Sequence, residues 1–85
     1  EDGSWLISGS MPFDEMADLI GLVPSAHRTY ETAAGFVIDL LQHLPVTGEH
    51  VHFQGWRFEV VDLDGRRVDK ILAARAETVP TYMPS

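Results

Sequence analysis

The sequence contains no cysteine, which excludes disulfides, thiolate metal sites and a cysteine nucleophile and fits a reducing, cytoplasmic setting. Positive charge is scarce as well: six lysines and arginines stand against thirteen aspartates and glutamates, a formal charge of −7. That balance opposes the long-range attraction to phosphate on which nucleic-acid and anionic-membrane binders rely. No apolar run approaches the roughly 20 residues of a helical membrane span, so direct membrane insertion by this segment is not expected. No acidic run is longer than a pair, as in Glu1-Asp2 and Asp14-Glu15, and the acidic residues read as a solubility feature and not as a cation cluster. The glycines carry no phosphate-binding fingerprint, and Glu1-Asp2-Gly3-Ser4 is neither a signal peptide nor a translation start. The expectation is a piece of a longer intracellular protein.

What is present suits one small domain: 85 residues, 45% of them apolar, enough for a single core. Trp5-Leu6-Ile7-Ser8 reads as a strand stopped by Gly9-Ser10. Pro12 suits a first helical turn, Asp14 and Glu15 complement the helix dipole, and a helix over 12–20 follows with Met16, Leu19 and Ile20 as its apolar side and Gly21 at its end. Residues 22–30 read as a loop. Thr32 is placed to cap the strongest helix, in which Ala33, Phe36, Val37, Leu40, Leu41 and Leu44 recur at helical spacing until Pro45. Gly35 inside it costs about 1 kcal/mol relative to alanine and predicts close approach to another backbone.

From Gly48 the pattern changes to strands, with Gln54-Gly55 and Asp64-Gly65 as two-residue turns. The first turn sets Phe53 opposite Trp56, His52 opposite Arg57, Val51 opposite Phe58 and His50 opposite Glu59. The second sets Leu63 opposite Arg66, Asp62 opposite Arg67, Val61 opposite Val68, Glu59 opposite Lys70 and Phe58 opposite Ile71, pairs of a kind that cross-strand contact favours. Both registers put Val51, Phe53, Trp56, Phe58, Val60, Ile71 and Ala73 on an inner face, and His50, His52, Arg57, Glu59 and Lys70 on an outer one. Asp69 fits poorly opposite Val60 and predicts a bulge there. The expected fold is α+β in the order βααβββ: an antiparallel meander over 49–74, two helices on one face, and the first strand at an edge. The domain is expected to occupy 1–76, with a frayed tail over 77–85.

The candidates for chemistry are few. His50 and His52 project to one side of a strand, with Glu59 as a third ligand, but Arg57 and Lys70 beside them oppose a metal ion. His27 and His43 have no acid at a spacing that makes a relay. Asp14, Glu15 and Asp18 serve a helix start, and Arg66-Arg67 reads as a solvated or cross-strand pair. Trp5 and Trp56 are both expected in the core of so small a domain. The residues therefore give no catalytic, metal or cofactor-binding set.

Three stretches carry a resemblance: Asp2-Gly3-Ser4-Trp5-Leu6-Ile7-Ser8-Gly9-Ser10-Met11-Pro12; Tyr30-Glu31-Thr32-Ala33-Ala34-Gly35-Phe36-Val37 leading to Leu44-Pro45-Val46-Thr47-Gly48-Glu49; and Phe58-Glu59-Val60-Val61 followed by Asp64-Gly65-Arg66-Arg67-Val68. In this order they resemble the transporter-associated (CorC/HlyC) domain of hemolysin-like membrane proteins that carry a cytoplasmic pair of CBS modules. Phe13 and Met16 stand where that family often has leucine, and the Gly21 to Tyr30 connector is less acidic than many. The resemblance implies a fold akin to part of the FAD-binding domain of vanillyl-alcohol-oxidase-like enzymes, without flavin binding, and brings no catalytic residues. It implies a non-catalytic regulatory or docking domain on the cytoplasmic side of a magnesium or cobalt transport protein. Its partners would be the CBS pair, the transmembrane region or a second copy of itself. The rival expectation is a sensor that binds a nucleotide or divalent metal.

Overall fold

A computed structural model describes residues 3–23 and 30–76 of the chain. The elements run β1 (Trp5–Ser8), α1 (Phe13–Ile20), α2 (Ala33–Leu41), β2 (His50–Phe53), β3 (Trp56–Asp64) and β4 (Arg67–Arg75). The strands form one antiparallel sheet in the order β1-β4-β3-β2, so the first strand joins an edge, beside the last. The fold is α+β, as the order of patterns along the chain predicts. His27, Arg28 and the tail over 77–85 lie outside the described residues.

Helix α1 begins after Pro12 and ends where Gly21 turns left-handed (φ 81°), its N–H bonded to the Ala17 carbonyl. Its buried stripe is Phe13, Met16, Ala17 and Ile20, an i, i+3, i+4, i+7 spacing set by Phe13. Leu19, expected on that stripe, falls outside it and is 42% exposed. Helix α2 starts at the predicted cap, where the Thr32 hydroxyl accepts the Gly35 N–H at 3.1 Å. It ends earlier than its spacing predicts, because Gln42 takes a left-handed conformation (φ 65°), and Leu44 is 51% exposed beyond it. Pro45 disfavours a helical Leu44, so the last apparent repeat cannot be used.

The core lies between the helices and one sheet face, built by Ile7, Phe58, Val60, Val68, Ile71 and Ala73 from the strands and by Phe13, Met16, Phe36 and Val37 from the helices. Phe36 stands at its centre, 4.9 Å from Phe13, 5.4 Å from Tyr30, 5.3 Å from Phe53 and 5.3 Å from Phe58 between ring centroids. Gly35 lies against Tyr30, whose Cβ would be 3.1 Å from a methyl added there. Trp56 is buried as expected, whereas Trp5, at the sheet edge, is 42% exposed and not a core residue.

The β2–β3 hairpin has the register read from the sequence: His50↔Glu59, Val51↔Phe58, His52↔Arg57 and Phe53↔Trp56. Both turn residues have positive φ (Gln54 50°, Gly55 84°). The Gln54 side chain reaches back across the fold, accepting the Val23 N–H at 3.0 Å and donating to the Val23 carbonyl at 3.3 Å.

The β3–β4 register differs from the expected one by two residues. Asp64 pairs with Arg67, Leu63 with Val68, Asp62 with Lys70, Val60 with Ile71, Glu59 with Leu72 and Phe58 with Ala73. The turn is therefore Gly65-Arg66, with positive φ at Gly65 and none at Asp64. Glycine at the first central position satisfies a type II′ turn, so Asp64 is left in the strand. A slip of two keeps every side chain on its face, and this is why the inner-face assignment holds although the pairs do not. The bulge expected near Asp69 is present: pairing passes over Val61 on one strand and Asp69 on the other. Alternation resets there, so Val60 and Leu63 both turn toward the core, as do Val68 and Ile71.

The loop after β1 ties the layers together. The Gly9 N–H donates to the Asp69 carbonyl at 2.8 Å, and the Gly9 carbonyl accepts the Ala34 N–H at 2.9 Å. A methyl built on Gly9 would sit 2.0 Å from the Val68 carbonyl oxygen.

Candidate docking surface

Among the described residues both helices pack on one face of the sheet and leave the other open. Register aligns the outward residues into rows: Leu6, Leu72, Glu59 and His50 across all four strands, and Ala74, Arg57 and His52 beside them. In these two rows the β1–β4 half is apolar and the β3–β2 half is charged or aromatic, while Ser8 and Lys70 continue the β1–β4 half as a polar row. Leu6 is 63% exposed, and Leu72 and Ala74 are partly covered. The Arg57 guanidinium donates to Glu59 Oε1 at 2.9 Å, and the rings of His50 and His52 lie edge to face at 5.7 Å.

The open face holds His50, His52, Arg57, Glu59 and Lys70, as the sequence predicts. Glu59, offered as a third metal ligand, is spent on Arg57 instead, and Lys70 stands opposite Asp62, its ammonium 2.9 Å from Asp69 Oδ2. Among the described residues no three His, Asp or Glu side chains gather to hold a metal ion. The lysine holds the Asp69 carboxyl below the usual carboxylate range, and the aspartate raises the lysine.

His43 does have an acid partner, contrary to expectation: Glu49 Oε2 lies 2.5 Å from its Nε2. The left-handed Gln42 and Gly48 fold the connection back so that residues six apart meet. The other Glu49 oxygen accepts the Val46 N–H at 3.1 Å. That amide first, and His43 second, lower the Glu49 pKa below its ordinary value. The arrangement closes a loop on itself at the surface.

The apolar half of the open face, Leu6 with Leu72 and Ala74, is absent from the sequence-level assignment. Its signal is weak: it needs the edge position of β1 beside β4, which local spacing does not carry. The run Ile71-Leu72-Ala73-Ala74, apolar on both parities, was the available hint of a strand with two apolar faces.

An antiparallel four-stranded sheet in the order β1-β4-β3-β2, with both helices on one face and the exposed Leu6 on the other, defines a small α+β module. The chain belongs to the CorC_HlyC family of transporter-associated domains, whose profile matches residues 1–77. The polyamine export protein of Escherichia coli strain K12 is 35% identical over 85 residues, covering 98% of this chain and 19% of that protein. The chain thus spans about a fifth of the length of this curated relative. The CorC_HlyC domain of a Xylella fastidiosa Temecula1 hemolysin, solved in complex with Mg++ and Mn++, is 43% identical with a TM-score of 0.78, over 91% of this chain and 92% of that one. A putative Mg2+ and Co2+ transporter (CorC) associated region from Neisseria meningitidis MC58 is 32% identical with a TM-score of 0.80, over 89% and 93% of the two chains. Among the described residues no helix is long and apolar enough to cross a membrane.

Proposed function

We propose that the chain is a non-catalytic, cytoplasmic docking domain of a membrane protein that moves cations, and that it modulates transport by seating its open sheet face on another part of the same protein. The observation that carries this reading is the face left open by the described residues, with Leu6 at its exposed edge. Burying such a stripe contributes roughly 25 cal/mol per Å², a gain the isolated domain forgoes. Four-fifths of the relative's length lies outside the matched region, and the partner we propose is part of that remainder, a CBS pair or the transmembrane region. The cargoes named for the relatives, polyamines and the ions Mg2+ and Co2+, share multiple positive charge, so the cargo class is a multivalent cation.

The test is Leu6→Asp with Ala74→Asp. In the isolated chain the unfolding free energy is expected to stay within about 1 kcal/mol of wild type, because both sites are on the open face. In the full-length transporter, export measured in vesicles should fall severalfold. Unchanged export in a correctly inserted protein refutes the docking reading.

A second reading is favoured by the Xylella domain bound to Mg++ and Mn++: this domain senses a divalent cation and passes its occupancy to the transporter. Calorimetric titration of the chain with Mg2+, Mn2+, Co2+ and an adenine nucleotide separates the two, since a ligand bound only by the native state raises its stability. A saturable heat with one of them makes the domain a sensor, and none leaves docking.

A further inference from the structure

At the turn end of the sheet, away from its open face, a cavity of about 410 Å³ opens between the β3–β4 turn and the start of α2. Its walls are mostly apolar, with Ala34, Ile38 and Val68 inside and Ser10, Arg66 and Arg67 around it. Volumes of this size take a small ligand or the end of a peptide.

The cationic side chains of the described residues are otherwise committed. Arg57 is bonded to Glu59, Lys70 to Asp69, and the Arg75 guanidinium lies over the Trp56 ring at 5.2 Å. Arg67 makes only a loose contact with Asp64 at 3.9 Å between two largely exposed side chains, and Arg66 makes no ion pair among the described residues. A chain of charge −7 therefore brings the two guanidinium groups left without a close ion pair among its described residues to the same apolar cavity. The start of α2 adds no anion-binding amides, because the Ala33, Ala34 and Gly35 N–H groups are bonded to Met11 O, Gly9 O and Thr32 Oγ1. Any recognition of an anion falls to the arginines, whose planar forks match a carboxylate.

We infer that this cavity is a binding site for a carboxylate carried on a short aliphatic body, with the aliphatic part against Ala34 and Ile38 and the carboxylate at Arg66 and Arg67. Either a free branched-chain acid or the C-terminal residue of an aliphatic-ended peptide presents that chemistry. The inference does not rest on the docking role of the open face.

The test is a titration of the 85-residue chain, followed by amide-resolved NMR, with 4-methylpentanoate, with acetyl-Ala-Leu bearing a free carboxylate, and with the neutral 4-methylpentanol. Saturable shifts confined to Ser10, Ile38, Val68 and their neighbours are expected, with a Kd on the order of 1 mM, about −4 kcal/mol. The neutral alcohol should bind at least about tenfold more weakly, and R66A/R67A should lose the same factor for the acids, about 1.4 kcal/mol. Arg66→Lys with Arg67→Lys keeps the charge without the fork and should fall between. Tighter binding of the dipeptide assigns a chain terminus as the natural ligand, and tighter binding of the free acid assigns a metabolite. Absence of shifts with both acids, or equal binding of acid and alcohol, overturns the inference, as does affinity unchanged in a folded R66A/R67A chain.

Discussion

Gly9→Ala is expected to be among the most damaging single-methyl additions to this domain. The new Cβ would lie 2.0 Å from the Val68 carbonyl oxygen and 2.9 Å from its carbon, against the roughly 3.5 Å at which non-bonded atoms rest. The obstacle is backbone, so relief requires the β1–α1 loop and β4 to part by more than about 1 Å. Parting them strains two bonds at once, Gly9 N–H to Asp69 O and Ala34 N–H to Gly9 O. Overpacking costs about 1–3 kcal/mol, and an unsatisfied buried amide or carbonyl adds about 1–3 kcal/mol. A total near 3 kcal/mol corresponds to a fall in Tm of about 12–24 °C for a domain of this size. Urea unfolding followed by the fluorescence of buried Trp56 measures it, with Gly21→Ala as reference. Gly21 has positive φ but open space around it, so its variant bears only the left-handed penalty of about 1–2 kcal/mol. Equal losses at the two sites, or a Gly9→Ala chain as stable as wild type, would refute the close-approach argument.

Phe36→Ala removes the ring that meets four others and should cost about 3–5 kcal/mol, read from the same urea curves. Stability should also respond to Glu49, whose folded pKa is depressed from its ordinary 4.5. Its contribution is fully present above that value and is lost as pH falls through the lower folded one, because the unfolded chain takes up the proton first. In Glu49→Gln the acid limb of the pH–stability profile should be shallower than in wild type over that range, and coincident profiles would exclude the contribution.

Much of the architecture was legible because local and tertiary signals agree. Thr32 caps α2, Gln54-Gly55 fixes the β2–β3 register, and the misfit of Asp69 announces the bulge. Errors arose where local chemistry allows two answers. Asp64-Gly65 and Gly65-Arg66 are both acceptable turns, and only the pairing along β3 and β4 selects the second. The apolar spacing in α1 and α2 extends to Leu19 and Leu44, yet helix phase and Pro45 leave both at the surface. The open face was half legible: its polar residues alternate within a hairpin, whereas Leu6 joins them only through partners more than sixty positions away, Leu6↔Leu72 among them. The Glu49 partner of His43 was hidden by a backbone reversal that no short motif announces.

The pairing of the first strand with the last has a consequence for the timing of folding. Trp5 meets Ala73 and Ser8 meets Lys70, so β1 cannot find its place until almost the whole domain has left the ribosome. During synthesis the helices and the β2–β3 hairpin can form from local contacts, while Ile7 waits with its apolar side chain in water. Long-range closure of this kind slows folding and exposes apolar surface in the interim. A stop within β4 would therefore forfeit two strand pairings at once, leaving β1 and β3 with free edges.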